Sequence, residues 1–222
     1  LEESGSVGNA TGWHPYYILA ISGNQLLGCA PMYVKTHSQG EYIFDHSWAN
    51  AYERAGGKYY PKIQVAVPFT PVPGKRLLAN NENQEKAFPI LLEGIKSFAA
   101  KNNLSSAHIT FCSFDEFKKG GSLGLLKRTG SQYHWKNDGY GNFQDFLDAL
   151  SSRKRKNIRK ERERAERFGG KIVRYSGQEI TEQHWDAFWN FYQDTGRRKW
   201  GQPYLTRNFF EIAGKKLKNE LL

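Results

Sequence analysis

Residues 13–35, WHPYYILAISGNQLLGCAPMYVK, contain two apolar runs separated by a short turn. The first run extends from Tyr16 to Ile21 and the second from Leu26 to Val34. The turn between them, Ser22 to Gln25, includes Gly and Asn, two residues that accept positive φ angles. The segment therefore predicts a β-hairpin, and we use it as the starting point for the fold.

Strands and helices alternate after this hairpin. Alternating apolar residues at 62–67 predict a strand, the spacing of apolar residues in Asn83 to Asn102 predicts a helix, and Ala107 to Cys112 predicts another strand. The pattern indicates an α/β (α+β) fold with a mixed, mainly antiparallel sheet flanked by helices. Shorter elements are predicted as helices at 48–54 and 115–119 and as a strand at 131–136.

A second unit is predicted to begin near Gly139 to Asn142. Residues 1–141 form the first unit and residues 142–222 the second, which opens on a helix that ends near Gly169. Its other predicted elements are a strand at 171–175 and helices at 181–195 and 206–218. The chain does not start with Met and stops on an apolar run, so we expect a fragment of a longer protein.

Bulk composition limits the partners. The 222 residues carry a formal charge of +10, which favours an anionic partner such as nucleic acid, a phosphate-bearing molecule or an acidic lipid surface. No apolar run is long enough to span a membrane, and no secretory signal is present. The two cysteines, Cys29 and Cys112, are interpreted as buried free thiols in a reducing compartment, so a cytoplasmic location is expected. No metal-binding spacing of Cys or His occurs.

Basic residues concentrate in one predicted helix. The part beyond Glu161 is explained by ion pairs such as Glu163 to Arg167, but no acid lies between Asp148 and Glu161. An anion site and a solvated surface both remain open for this part of the helix, since clustered Lys and Arg are typical of phosphate binding. The candidate phosphate-binding residues are Arg153, Lys154, Arg155, Lys156 and Arg159.

Residues 37–78, HSQGEYIFDHSWANAYERAGGKYYPKIQVAVPFTPVPGKRLL, mix charges, amides, aromatics, glycines and prolines. A loop packed by its own aromatics is one interpretation. The proximity of Glu41 and Asp45 to Lys35 and His37 favours the other, a polar pocket that holds an acid or base near an amine. We predict that Glu41, Asp45, Tyr60 and Lys62 line one cleft with Lys35.

Nucleotide-binding and hydrolase motifs are absent. Gly120 to Gly124 lacks the ending of a P-loop, and no GxSxG occurs. A coenzyme A loop of the form Q/R-x-x-G-x-G/A is also missing, because Arg54 to Tyr59 starts like one and departs at the last position.

Four segments resemble the FemAB-like bacterial proteins: 3–20 (ESGSVGNATGWHPYYILA), 37–78, 132–162 (QYHWKNDGYGNFQDFLDALSSRKRKNIRKER) and 194–210 (DTGRRKWGQPYLTRNFF). These proteins are described as predicted N-acyltransferases linked to peptidoglycan biosynthesis or recognition. The resemblance implies a GNAT-like acyl-CoA N-acyltransferase fold, with one repeat and the start of a second. It also implies transfer of an acyl or aminoacyl group from acyl-CoA or aminoacyl-tRNA to an amine, with a murein precursor as a possible acceptor.

Candidate roles follow from this expected reaction. Glu41, Asp45 and His37 are the candidate proton acceptors, and Lys35, Lys62 and Arg76 are expected to hold substrate anions. A non-catalytic GNAT-like module that binds a murein precursor or RNA is the alternative, and tRNA is a candidate partner. Oligomeric state is not predicted. The remaining candidate substrate-binding residues are Trp48, Tyr59, Tyr60, Gln64, Gln132 and His134.

Overall fold

A computed structural model describes residues 1–199 and 201–221. The strands are β1 (Trp13–Ser22), β2 (Gln25–Lys35), β3 (Lys62–Val65), β4 (Leu78–Ala79) and β5 (Ala107–Ile109). The helices are α1 (His46–Arg54), α2 (Gln84–Lys101), α3 (Phe114–Ser122), α4 (Phe143–Asp148), α5 (Ser152–Glu166), α6 (Glu182–Arg198) and α7 (Arg207–Lys216).

The predicted hairpin is confirmed. Strands β1 and β2 are antiparallel, with Trp13 opposite Lys35 at one end and Ser22 opposite Gln25 at the other. The connection is a two-residue turn in which Gly23 has a φ of 57°, a conformation that glycine adopts without steric cost.

The five strands form one sheet in which β1, β2, β3 and β5 are neighbours in that order. Strand β3 pairs antiparallel with β2 and parallel with β5, and β4 pairs antiparallel with a different part of β2. The parallel pair is connected through β4 and α2, as parallel neighbours require a crossover. The mixed α/β class with a mostly antiparallel sheet is therefore confirmed.

Helix α2 covers one face of the sheet and builds the main core. Ala87, Leu91 and Ile95 recur at helical spacing and are buried against the strands. Their partners on the sheet include Met32 and Ile63, which are also fully buried. The opposite face of the sheet carries polar side chains together with Trp13 and Tyr33, which form a second buried cluster with Val7.

Three predicted elements are wrong. Residues 131–136 and 171–175 are not strands, because neither segment pairs with another strand within the described ranges. Alternation alone does not make a strand, since the backbone groups need a neighbouring strand as partner. The predicted single helix from residue 143 to near Gly169 is divided into α4 and α5, because Ser151 has an extended backbone with a ψ of 147°.

All strands of the described chain lie between residues 13 and 109, and the described part of 142–222 contains helices without strands. The two parts are in contact: the Thr206 hydroxyl donates to the Ser4 carbonyl at 2.7 Å, and the Phe69 and Tyr204 rings stack at 4.8 Å. The division into one repeat and the start of a second stays a prediction. Among the described helices, none combines the length and the apolar character that crossing a membrane would require.

Candidate active site

Strand β3 separates the apolar core from a polar cluster. Its side chains alternate, so Ile63 and Val65 face α2 while Lys62 and Gln64 face the other side. All four are completely buried. The register places Lys62 directly opposite Lys35 of β2, which is also fully buried. Two lysines in this arrangement repel each other unless acids compensate their charge.

The Lys62 ammonium is held by two carboxylates and a hydroxyl. Its Nζ donates to Asp45 Oδ2 at 2.6 Å, to Glu41 Oε2 at 2.8 Å and to Ser38 Oγ at 2.9 Å. An ammonium group has three N–H donors, and these contacts use all of them. We call Lys35, Ser38, Glu41, Asp45 and Lys62 the β3 cluster.

A loop with unusual backbone geometry brings the acids to β3. Gly40, Tyr42 and Phe44 all have positive φ angles, of 77°, 58° and 49°. A Cβ atom at Gly40 would lie 2.7 Å from the Phe69 ring, so the site requires glycine. Tyr42 and Phe44 have a Cβ atom, so the positive-φ conformation costs each of them about 1–3 kcal/mol. Strain of this kind concentrates at functional sites, where it holds side chains in place.

The two carboxylates are in different electrostatic environments. Burial would raise the pKa of Asp45, but hydrogen bonds from Lys62 and from the Tyr59 hydroxyl, at 2.7 Å, outweigh it and hold the pKa below its usual range. For Glu41, burial dominates over the attraction of Lys62 and raises the pKa. A pair of carboxyl groups whose pKa values are moved in opposite directions is typical of acid–base sites.

Both carboxylates also have one buried oxygen without a partner. Glu41 Oε1 and Asp45 Oδ1 make no hydrogen bond within the described residues, and neither does Gln64 Oε1. An unpaired buried acceptor costs about 1–3 kcal/mol, which a donor from water or from a ligand amine would offset.

The Lys35 ammonium is also poorly solvated. Its Nζ lies 3.6 Å from the centre of the Trp13 ring and donates to the Gln39 carbonyl at 3.2 Å. Burial lowers the pKa of Lys35 to about 7. Lys35 therefore changes charge close to neutral pH, and it does so beside Glu41 and Lys62, whose charges act on it.

Strand β5 adds residues to the same face that the sequence did not predict. His108 lies beside Gln64 in the parallel register, and burial lowers its pKa to about 4, so it is neutral at physiological pH. Gln64 Nε2 donates to Thr110 Oγ1 at 2.6 Å. Trp13, His108 and Thr110 were missed because their roles depend on how the strands pair, and Ser38 was missed because it lies in the loop after β2. Only the alternation in β3 could have indicated which face they share.

Tyr59 and Tyr60, two of the candidate substrate-binding residues, border the β3 cluster. The Tyr60 and Ser38 hydroxyl oxygens are 2.7 Å apart, and Tyr59 contacts Asp45. His37 lies next to the cluster, but its Nε2 is 3.0 Å from the Thr11 carbonyl and its Nδ1 accepts from the Gln39 backbone. Both ring nitrogens of His37 are therefore engaged.

The other predicted substrate-binding residues lie elsewhere. Trp48 is exposed on α1, where the Arg128 guanidinium lies 5.3 Å from its ring. Gln132 and His134 are exposed in an extended segment, and Gln132 donates to the Pro71 carbonyl at 2.9 Å. The side chains of these three residues form no hydrogen bond to the β3 cluster, although the backbone N–H of Trp48 donates to the Asp45 carbonyl at 3.0 Å.

Arg76 borders a separate open groove of about 430 Å³. Its guanidinium is buried and donates to the carbonyls of Thr110 at 3.0 Å and Val72 at 2.6 Å. The buried Glu116 carboxylate accepts from the backbone N–H of Arg76 and of Leu77, each at 2.8 Å. Arg76 therefore fixes the loop after β3 through carbonyl contacts.

The basic helix α5 is exposed along its length. Two of its predicted phosphate ligands contact α4 instead: Arg155 pairs with Asp148 at 2.9 Å, and Arg159 donates to Gln144 at 3.3 Å. The remaining candidates, Arg153, Lys154 and Lys156, have no ion pair within the described chain. The ion pair between Glu163 and Arg167 that the spacing suggested is not formed. Phosphate binding by this helix stays a prediction.

The described residues contain no group of three or more His, Cys, Asp or Glu side chains that could hold a metal ion. The β3 cluster combines a raised-pKa carboxyl, a lowered-pKa carboxyl and two buried lysines on a mixed α/β sheet. This arrangement is one that proton-transfer enzymes use.

Comparison with known families defines the chain further. The sequence matches the FemAB-like family, described as peptidoglycan biosynthesis/recognition, over residues 1–222, and the chain belongs to this family. No curated protein matches the chain, and no solved structure does.

Proposed function

We propose that the chain transfers an acyl or aminoacyl group to an amine, and that the amine belongs to a peptidoglycan precursor. The family supports a role in peptidoglycan biosynthesis, since Fem transferases add amino acids. The observation that carries the proposal is the β3 cluster, in which Glu41 has a raised pKa and a buried oxygen without a partner.

Glu41 is the proposed proton acceptor. As the amine nitrogen bonds to the donor carbonyl carbon, it must lose a proton, and Glu41 Oε1 can accept it. The bond from that carbon to sulfur of acyl-CoA, or to oxygen of aminoacyl-tRNA, then breaks, and the leaving group takes up a proton. A carboxyl with a raised pKa is a better base at neutral pH than an ordinary one.

Asp45 and Lys62 are proposed to position this base. Asp45 keeps its negative charge at neutral pH because its pKa is lowered, and it shares the Lys62 ammonium with Glu41. The ammonium holds Glu41 Oε2 at 2.8 Å and leaves Oε1 for the substrate. Lys62 has no donor left for a substrate anion in this arrangement.

A GNAT-like fold is proposed for the sheet. Its support is the parallel pair of β3 and β5 joined through α2, together with the antiparallel hairpin before it. Acyl-CoA and aminoacyl-tRNA both remain candidate donors, and the missing coenzyme A loop favours aminoacyl-tRNA. The groove beside Arg76, which borders the loop after β3, is the proposed space for a donor.

A non-catalytic binding module is the second candidate. The observation that favours it is the complete burial of Asp45 and Lys62 and the near-complete burial of Glu41, which is 3% exposed. A substrate amine reaches Glu41 only if the strained loop at residues 40–44 moves. If it does not move, the β3 cluster is a structural ion network.

The test uses alanyl-tRNA, seryl-tRNA and acetyl-CoA as donors and a nucleotide-linked murein precursor as acceptor, with product detected by mass spectrometry. We expect Glu41→Gln to lower kcat by about 100-fold or more without weakening precursor binding. Glu53→Gln, on the exposed surface of α1, is the matched control and should leave the rate unchanged. Equal rates in wild type and Glu41→Gln would overturn the role of Glu41. Precursor binding without product from any donor would support the binding module.

A further inference from the structure

Helix α5 has two chemically different faces. The inner face packs on α4 through Arg155, Arg159 and Arg162, the last of which lies 4.3 Å from the centre of the Phe143 ring. These residues are spaced by four and three positions, so they share one side of the helix. The contacts also fix which side of α5 is turned away from the rest of the protein.

The outward face carries an unbroken row of cations. Successive members are three, four, four and three positions apart, which keeps them within a sector of about 80° and spreads them over about 21 Å. All are exposed, and none forms an ion pair within the described residues. Glu163 borders the row, and the other two acids of α5, Glu161 and Glu166, point to other sides. The row, which we call the outer stripe, consists of Arg153, Lys156, Lys160, Arg164 and Arg167.

Large apolar side chains follow the outer stripe. Phe168, directly after Arg167, is 86% exposed, and Ile172 is fully exposed. Neither contributes to the two buried hydrophobic clusters of the described chain. A row of cations that ends in exposed apolar side chains is the combination that lets a protein bind the surface of an anionic bilayer.

We propose that the outer stripe docks this protein on an anionic lipid surface. The five cations face headgroup phosphates, and Phe168 and Ile172 enter the interfacial region beside them. Charge complementarity identifies the occupant, since each Lys or Arg close to such a surface strengthens binding by about fivefold. Neither the cations nor the apolar side chains are sufficient alone, and stable anchoring to the bilayer needs both. The proposal is independent of whether the β3 cluster is catalytic.

A lipid surface fits better than a nucleic acid. Proteins that bind single-stranded nucleic acid place aromatic side chains among the cations so that bases can stack. The outer stripe has no aromatic residue between its cations. The aromatic pocket nearby, formed by Trp135, Tyr140, Phe143 and Phe146, lies on the α4 side of α5, where Arg162 contacts Phe143. The cations of the outer stripe lie along one side of a helix, so all of them can approach headgroup phosphates that lie in one plane.

The test is cosedimentation with vesicles of phosphatidylcholine alone and of phosphatidylcholine containing about one third phosphatidylglycerol. The wild-type chain should bind the anionic vesicles, lose affinity as salt increases, and leave the neutral vesicles unbound. The variant R153Q/K156Q/K160Q/R164Q should bind several hundred-fold more weakly, since four factors of about five are lost. The matched control, K58Q/K86Q/K96Q/K101Q, removes four exposed lysines elsewhere and should change affinity by less than about threefold.

Phe168→Ser separates the two signals. It keeps every charge, so it should weaken binding several-fold at all salt concentrations without changing the salt dependence. Circular dichroism verifies that α5 is intact, since Gln is a good helix former. Absence of wild-type binding, or equal losses in the two quadruple variants, would overturn the proposal. So would tighter, stripe-dependent binding of tRNA or of a single-stranded RNA oligonucleotide, which would assign the stripe to nucleic acid.

Discussion

The β3 cluster and helix α5 are both dense in charge, but they differ in their exposure to water. In the β3 cluster, Lys35, Lys62 and Asp45 are completely buried, and each depends on its neighbours for compensation. In α5, no residue is buried, and among the described residues its one ion pair to a neighbouring helix joins Arg155 to Asp148. The difference teaches that burial, more than the number of charges, decides how strongly a charged residue affects fold and chemistry.

The largest effect is expected for Lys62→Met. This change removes the shared cation and leaves Glu41 and Asp45 buried without compensation, which costs about 3–5 kcal/mol of unfolding free energy. The measurement is urea denaturation followed by circular dichroism. Lys160→Met on α5 is the matched control, and we expect it to change stability by less than about 0.5 kcal/mol. Similar losses in the two variants would remove the distinction between the regions.

A pH-dependent effect is expected for Lys35. Its pKa is about 7 in the folded protein, against 10.5 for an ordinary lysine. Between these values the unfolded chain binds a proton that the folded chain does not. Stability therefore increases with pH, by up to about 1.4 kcal/mol per unit, and this contribution is lost as pH falls toward 7.

Lys35→Met isolates that contribution. The unfolding free energy of wild type, relative to this variant, should increase between about pH 7 and pH 9 and remain constant below about pH 7. Chemical denaturation at a series of pH values measures it. A difference that does not change with pH would show that Lys35 stays charged in the folded protein.

The smallest effect is expected for Arg155→Gln. Its ion pair with Asp148 is partly solvent-exposed, so the loss should be about 0.2–1 kcal/mol and should decrease in high salt. Arg164→Gln, on the outer stripe, should have no measurable effect on unfolding by urea. A loss above about 2 kcal/mol for Arg155 would mean that α5 depends on its ion pair as the β3 cluster does.

Local patterns in the sequence predicted much of the fold. The two apolar runs around Gly23-Asn24 predicted the hairpin, and the spacing of Ala87, Leu91 and Ile95 predicted α2, because both signals arise from side chains close in sequence. The same approach was wrong for residues 131–136, where the alternation is present but the described part of the chain offers no neighbouring strand. Strand pairing is a property of distant segments and leaves little trace in a single sequence.

Part of the candidate site was also predicted from a local pattern in the sequence. The density of acids and lysines between residues 35 and 62 indicated that Glu41, Asp45 and Lys62 would meet, and the structure brings them together. The depth of their burial was not predicted, since it depends on how the loop at residues 40–44 folds over β3. His108 was missed because its place beside Gln64 depends on strand register, and Ser38 because its place depends on the fold of the loop after β2.

The most direct test of the proposed division of roles is the titration of the Glu41 and Asp45 carboxyls. Carbon-13 NMR of the side-chain carboxyl groups can follow both, with assignment by Glu41→Gln and Asp45→Asn. The account predicts that Glu41 titrates above 4.5 and Asp45 below 3.8, their ordinary values. If Glu41 titrates at or below 4.5, its carboxyl is not adapted to accept a proton from an amine, and the proposed mechanism is contradicted.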